Sequence, residues 1–333
     1  MKNLQNVMKE MDKMNTELIN MAMDTGQQII SSPAVQSIVT SLITTLFLRK
    51  NENIKVIEAL KAKEFEKITE KLLESGRLSY FEFYKCNNFL KIAKRADNMI
   101  ADIKNNQTED ANNKCNQNFS FDWLMRFFDA VGNISDEDLQ ELWGKVLANE
   151  IVRPKSCSFR TLDIIRNMSP DEAKSFSSLC RYVMQSENTY YIDSSGFFCK
   201  EDGYQECWKY IHKEGLSYED DIVPLVEAGV FSTDHDLAIY LYKDILLEIH
   251  NNKIRGNVFN DDDNPFLLQR EAYWLTASGR ELFHVVQNST GFEMDEEYAL
   301  LCLEEIKKQN PKFYVSAFKI SDKGKSRDLL KDI

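Results

Sequence analysis

Residues able to do acid–base, nucleophilic or metal chemistry are thinly spread through this 333-residue chain. The four histidines, His212, His235, His250 and His284, stand apart from one another. None falls in an H-E-x-x-H spacing, which would set two imidazoles on one helical face. Histidines so isolated read as structural. The seven cysteines, Cys86, Cys115, Cys157, Cys180, Cys199, Cys207 and Cys302, are odd in number, widely spaced and free of any C-x-x-C pair. That pattern argues against both a disulfide framework and a zinc site, and it suits a reducing cytoplasm. Thr233-Asp234-His235-Asp236 and Asp261-Asp262-Asp263-Asn264 carry enough oxygen to hold a cation. Neither has the alternating ligands around a glycine that a calcium loop needs, so both read as acidic surface loops. A glycine-rich phosphate loop, a nucleophile elbow and a dinucleotide fingerprint are all missing. The sequence therefore assigns no catalytic, cofactor-binding or metal residue, and no cofactor is expected.

The elements that would position any site are helical in the middle of the chain. Ile134, Ser135 and Asp138 supply an N-cap serine with a carboxylate three residues on, while Asp136 and Glu137 put further negative charge at the positive end of the helix dipole. A helix is predicted to begin near Asp136. Leu139, Leu142, Trp143, Val146 and Leu147 recur at helical spacing and make one stripe apolar, with Gln140, Glu141 and Lys145 facing outward. A second start follows at Ser169, Pro170 and Glu172, the proline lying at the first helical position where its missing N–H costs nothing. Arg126 and Arg160 fall close in sequence to Trp123, Phe127, Phe128 and Phe159, where a guanidinium would stack on a ring or pair with Asp136, Glu137 or Glu150. Arg126, Asp136, Glu137, Glu150 and Arg160 are the candidate structural polar cluster.

This run, Phe121 to Cys180, resembles the bacterial family catalogued as domain of unknown function 2806. The resemblance is carried by Trp123-Leu124 with Phe127-Phe128, Ile134-Ser135-Asp136-Glu137, Gln140-Glu141-Leu142-Trp143, Leu147-Ala148 with Glu150, and Phe159-Arg160-Thr161-Leu162. It extends over roughly residues 120 to 285 and departs from the family at Pro154-Lys155-Ser156-Cys157, where a proline-glycine turn is usual. It implies a fold and brings no reaction or ligand. Families of this look often sit among mobile defence genes, so a component of phage defence is what the resemblance implies.

Further on, a helix at Asp171–Met184, a strand at Thr189–Asp193, helices at Tyr204–Lys213 and Tyr218–Ala228 closed by Gly229, and a ribbon from Ile245–Ile254 and Arg270–Leu275 together resemble a winged helix. Leu275-Thr276-Ala277-Ser278-Gly279-Arg280-Glu281-Leu282 reads as the exit of the wing. The charges oppose DNA binding. The helix that would enter a major groove carries Glu219, Asp220, Asp221 and Glu227 with no arginine or lysine, so the phosphate-neutralising part of affinity is lost and repulsion is added. Residues 201–300 hold 21 Asp or Glu against 7 Lys or Arg, whereas residues 1–110 hold 15 acidic against 16 basic side chains. The net charge of −12 thus belongs to the C-terminal half. Nucleic acid is an improbable partner. Glu219, Asp220, Asp221 and Glu227 become the candidate surface for a protein partner.

The N-terminal hundred residues read as helical. Thr25 to Leu48 is 24 residues without a charge, with Val35, Ile38, Val39, Leu42, Ile43 and Leu46 on one face and Ser or Thr hydroxyls opposite. This is the candidate oligomer or membrane face, because a span needs about 20 mostly apolar residues. Ile54 to Leu72 continues as a solvated stripe with i,i+4 charge pairs. Residues 1–24 lack the pattern of a signal peptide. The expected fold class is mainly α: an N-terminal helical region at 1–104, an asparagine-rich linker at 105–118, a central three-helix unit at 119–180, a winged-helix-like α+β unit at 181–290, and a C-terminal helix and strand at 291–333. The expected function is a non-enzymatic interaction or regulatory component in the cytoplasm, binding a protein partner or itself. A membrane-acting effector using 25–48 is the alternative, and an enzyme with a site assembled from scattered residues the third.

Overall fold

The computed structural model describes residues 79–105, 120–194, 206–232, 236–243, 245–289, 291–320 and 327–333, with a few positions between 67 and 76. The charge-free stretch 25–48, nearly all of the stripe after it and the asparagine-rich linker lie outside the described residues. The chain divides into a helical unit that runs to Arg166 and a sheet unit that starts at Asn167.

The helical unit is built from α1 (Tyr80–Asn105), α2 (Phe121–Val131), α3 (Glu137–Val152) and α4 (Phe159–Asn167). Each start is stated locally. Ser79 and Glu82 cap α1 reciprocally, and the Ser120 side chain accepts from the Trp123 N–H ahead of α2. Asp136 caps α3, accepting from the Leu139 N–H at 3.0 Å, so the cap lies one residue beyond the expected Ser135. Phe89, Phe127, Phe128 and Trp143 are buried in edge-to-face contacts, with ring centroids 5.3 Å apart for Phe127 and Trp143. Such pairs contribute about 0.5–1.5 kcal/mol each beyond their buried area. This unit is helical for the reason read in the sequence: its apolar residues recur every three or four positions.

The sheet unit overturns the mainly-α expectation. Among the described residues it contains eight antiparallel strands in the order β3-β6-β2-β1-β4-β5-β7-β8. These are β1 (Met184–Ser186), β2 (Thr189–Asp193), β3 (Asp236–Leu241), β4 (Leu246–His250), β5 (Ile254–Phe259), β6 (Phe266–Trp274), β7 (Tyr314–Ile320) and β8 (Arg327–Asp332). Its helices are α5 (Pro170–Leu179), α6 (Glu206–Lys213), α7 (Val223–Glu227), α8 (Ala277–Gln287) and α9 (Glu296–Gln309). The expected ribbon does not form, because its two strands take other partners: β4 pairs with β1 and β5, and β6 pairs with β2 and β3. The presumed recognition helix is one π-helical turn, Tyr218–Ile222, followed by the five residues of α7. Met184 starts a strand and does not end a helix.

Several sequence details hold within this changed architecture. Ser169 and Glu172 form a complete capping box with Pro170 behind it, and Gly229 adopts φ +78° where a helix end was read. Thr276 belongs to a helix start, not to a wing. Its Oγ1 accepts from the Gly279 N–H at 3.1 Å and donates to the Gly229 carbonyl at 2.7 Å. A Cβ on Gly279 would lie 2.2 Å from the Val230 carbonyl oxygen, so glycine is what permits that closeness. Burial alternates strictly along β5, and α9 covers the buried side of β5 and β7 with Leu303 over Gly256.

Candidate functional site

Side chains from β2, β6, α6 and α9 meet beneath the two helices. Period-two alternation in β2 sends Tyr191 and Asp193 to one face, and the same alternation in β6 sends Leu268, Arg270 and Ala272 inward. On α6, Cys207 and Ile211 are one turn apart and fully buried. On α9, Tyr298 and Cys302 are likewise one turn apart and buried. The two helices pack side by side, and α9 also packs on the sheet. Asp193, Arg270, Cys207 and Cys302 thereby converge.

The Cys207 and Cys302 Sγ atoms are 3.6 Å apart. Arg270 donates from Nε and Nη2 to the same Asp193 oxygen, Oδ2, at 2.9 Å each, and Nη2 lies 3.9 Å from the Cys207 sulfur. The Tyr298 hydroxyl donates to the Asp193 backbone carbonyl at 2.8 Å. One donor atom from each of Asp193, Cys207 and Cys302 lies within 4.8 Å of the others. All three residues and Arg270 are buried, and Arg270 Nη1 has no hydrogen-bond partner among the described residues. Burial works against the Arg270 charge, but the Asp193 carboxylate overrides it and holds the guanidinium protonated. The hydrogen bond with Cys302, then burial, push the Cys207 thiol up against the pull of Arg270. Burial pushes the Tyr191 and Tyr298 phenols up as well. In this state the cluster is a neutral, hydrogen-bonded core: an ion pair beside two thiols. By geometry it is also a set of donors suited to a soft divalent cation.

Tyr190, next to Tyr191, points to the opposite face of the sheet. A cavity of about 140 Å³ there is lined by Gln185, Tyr190, His250, Asn251 and Phe283 among others. Gln185 stands opposite both Tyr190 and His250 in the strand register. Burial, aided by Arg255, lowers the His250 pKa and favours the neutral imidazole.

The residues singled out from sequence fall elsewhere. Asp136 is the α3 cap, and Glu137 sits with Glu141 around Arg95. Glu150 is buried and accepts from the Lys155, Ser156 and Cys157 N–H groups and the Ser156 hydroxyl at 2.7–3.1 Å. Burial still outweighs these four bonds and raises its pKa. Arg126 stacks over the Phe159 ring at 4.4 Å, and Arg160 is exposed. Arg126, Asp136, Glu137 and Glu150 take separate local partners. Of the acidic four, Glu219, Asp220 and Glu227 are exposed. Asp221 is turned inward, where its carboxylate accepts from the Ser217 N–H at 2.7 Å and from the Ser175 hydroxyl. Val35, Ile38, Val39, Leu42, Ile43 and Leu46 lie outside the described residues. The Asp193–Cys207–Cys302–Arg270 cluster was missed because no short spacing joins its members: the two cysteines are 95 residues apart and the ion pair spans 77.

The helices α2 to α5 occupy the run that carries the family blocks, and a family model matches residues 87–300. The chain belongs to the family described as protein of unknown function, DUF2806. The match includes most of the helical unit and the sheet unit through the first turn of α9. Cys207, Asp193 and Arg270 therefore fall inside the family region, and Cys302 two residues beyond it. No curated protein and no solved structure matches the chain. No helix among the described residues is long and apolar enough to cross a membrane.

Proposed function

We propose that this protein is a non-enzymatic interaction or regulatory component that works by polypeptide contact through its sheet unit. The observation that carries the reading is an exposed aromatic and aliphatic surface on the sheet. Leu246, Phe259 and Tyr314 stand opposite one another across β4, β5 and β7, with Leu246 and Tyr314 49% and 62% exposed. Tyr240, on the edge strand β3, is 60% exposed and opposes the exposed Leu267, and Tyr242 and Ile245, between β3 and β4 in sequence, are exposed as well. Scattered exposed apolar residues are ordinary, but a cross-strand row of them, in a sheet whose edge strand β3 and its neighbour β6 add the exposed Tyr240 and Leu267, is a feature of surfaces that take a partner. The acidic trio Glu219, Asp220 and Glu227 adds exposed charge that disfavours polynucleotides and suits a basic protein surface. The phage-defence setting rests on the family resemblance alone.

The test is the solution mass and the cross-linked partner set of the full chain, with Tyr240→Lys and Tyr314→Lys combined. The expected result is loss of a self-contact or of a specific cross-linked partner, with the fold retained by circular dichroism. A monomer whose partner set is unchanged by the double substitution would sink the reading. A second reading, membrane action through residues 25–48, is supported by the absence of charge across 24 residues. A carbonate wash of cell membranes that leaves all protein in the supernatant would remove it.

A further inference from the structure

We propose that Asp193, Cys207 and Cys302 form a binding site for a divalent, thiolate-preferring cation of the zinc type. Three independent features support it. The first is spacing. Two thiolates about 2.3 Å from a tetrahedral zinc lie roughly 3.8 Å apart, and the two sulfurs are already 3.6 Å apart with a carboxylate oxygen within 4.8 Å of both. A disulfide would require the sulfurs to close to about 2.05 Å.

The second is the support around the carboxylate. Both guanidinium bonds from Arg270 end on Asp193 Oδ2, which anchors that oxygen beside the sulfurs. Ligating carboxylates are held by hydrogen bonds of this kind, and disturbing such support typically weakens metal affinity about 10–100-fold. The third is charge. When the ion enters, the two thiol protons leave to solvent, and a dication, two thiolates, one carboxylate and one guanidinium sum to zero. The buried cluster is then neutral with the ion, as it is without it, so binding leaves no net charge in a site where an uncompensated one is costly. Three protein donors leave the fourth position for a water or other small ligand. The ion would tie α6 and α9 to β2, joining parts of the sheet unit that are far apart in sequence.

The test is metal binding by the full chain, purified under reducing conditions, stripped with chelator and titrated with zinc or with cobalt as a spectroscopic probe. The expected result is one zinc per chain retained through gel filtration, and a cobalt adduct with an intense thiolate-to-metal band and tetrahedral d–d absorption. Cys302→Ser should lose the thiolate band in proportion to the lost sulfur. Cys180→Ser, which removes a cysteine outside the cluster, should leave it unchanged. Should Cys302→Ser fail to fold, the wild-type spectrum decides by itself, together with protection of two thiols from alkylation by the metal. Absence of retained zinc in the wild type overturns the proposal, as does a cobalt spectrum without thiolate character or a Cys207–Cys302 disulfide in the native metal-free protein.

Discussion

The two units bury a carboxylate by opposite means. Glu150 of the helical unit is met by N–H groups and a hydroxyl no more than seven residues away, so one turn of backbone satisfies it. Asp193 of the sheet unit is met by a guanidinium 77 residues away in sequence, on β6, the strand that pairs directly with β2. A carboxylate saturated by its own turn serves the fold, whereas one held by a distant side chain and facing two thiols is available for chemistry that only the assembled sheet creates.

The largest expected effect falls on the long-range site. Arg270→Met leaves Asp193 buried without its counter-charge and should cost about 3–5 kcal/mol in urea unfolding. Adding Asp193→Asn should recover part of that loss, and a double-mutant cycle with no coupling would show the pair to be independent. Glu150→Ala should cost about 1.5–3 kcal/mol, the scale for hydrogen bonds to a charged group. Its cost also carries a pH signature. Because the folded pKa of Glu150 is raised, its favourable contribution is fully present below the unfolded value near 4.5 and is lost as pH rises through the folded pKa. The penalty of Glu150→Ala should therefore be larger in acid than at neutral pH, and a penalty that grows with pH would break the contrast.

Smaller effects are expected at Gly279 and His250. Gly279→Ala forces a methyl against the Val230 carbonyl and should cost about 1–3 kcal/mol by thermal unfolding, the range for overpacking. His250 has a lowered folded pKa, so its contribution is present above the unfolded value of 6.5 and lost as pH falls through the folded one. Titrating stability from pH 8 to 5 should show a fall in the wild type that His250→Gln lessens by a fraction of a kcal/mol. An identical pH profile for the two would remove the buried imidazole from the account.

What could be read from the chain in advance followed the same division. Cap residues and apolar stripes act within one or two turns, so the start near Asp136, the capping box at Ser169 and Glu172, and the end at Gly229 were legible. So was the strand at Thr189–Asp193. The order of eight strands was not, because register is decided by partners far away in sequence: β7 joins β5, and β6 inserts between β2 and β3. The same non-locality hid the candidate site. Cys207 and Cys302 show no motif spacing, and what signal existed lay in their shared helical faces, Cys207 with Ile211 and Tyr298 with Cys302.

The most direct measurement is the shift in unfolding temperature that zinc causes in the reduced full chain, compared for the wild type, Glu150→Gln and Asp193→Asn. Ligand linkage predicts the same upward shift in the first two and little or none in the third. An equal shift in all three, or none in the wild type, would contradict the claim that the distant carboxylate is a ligand and the local one is not.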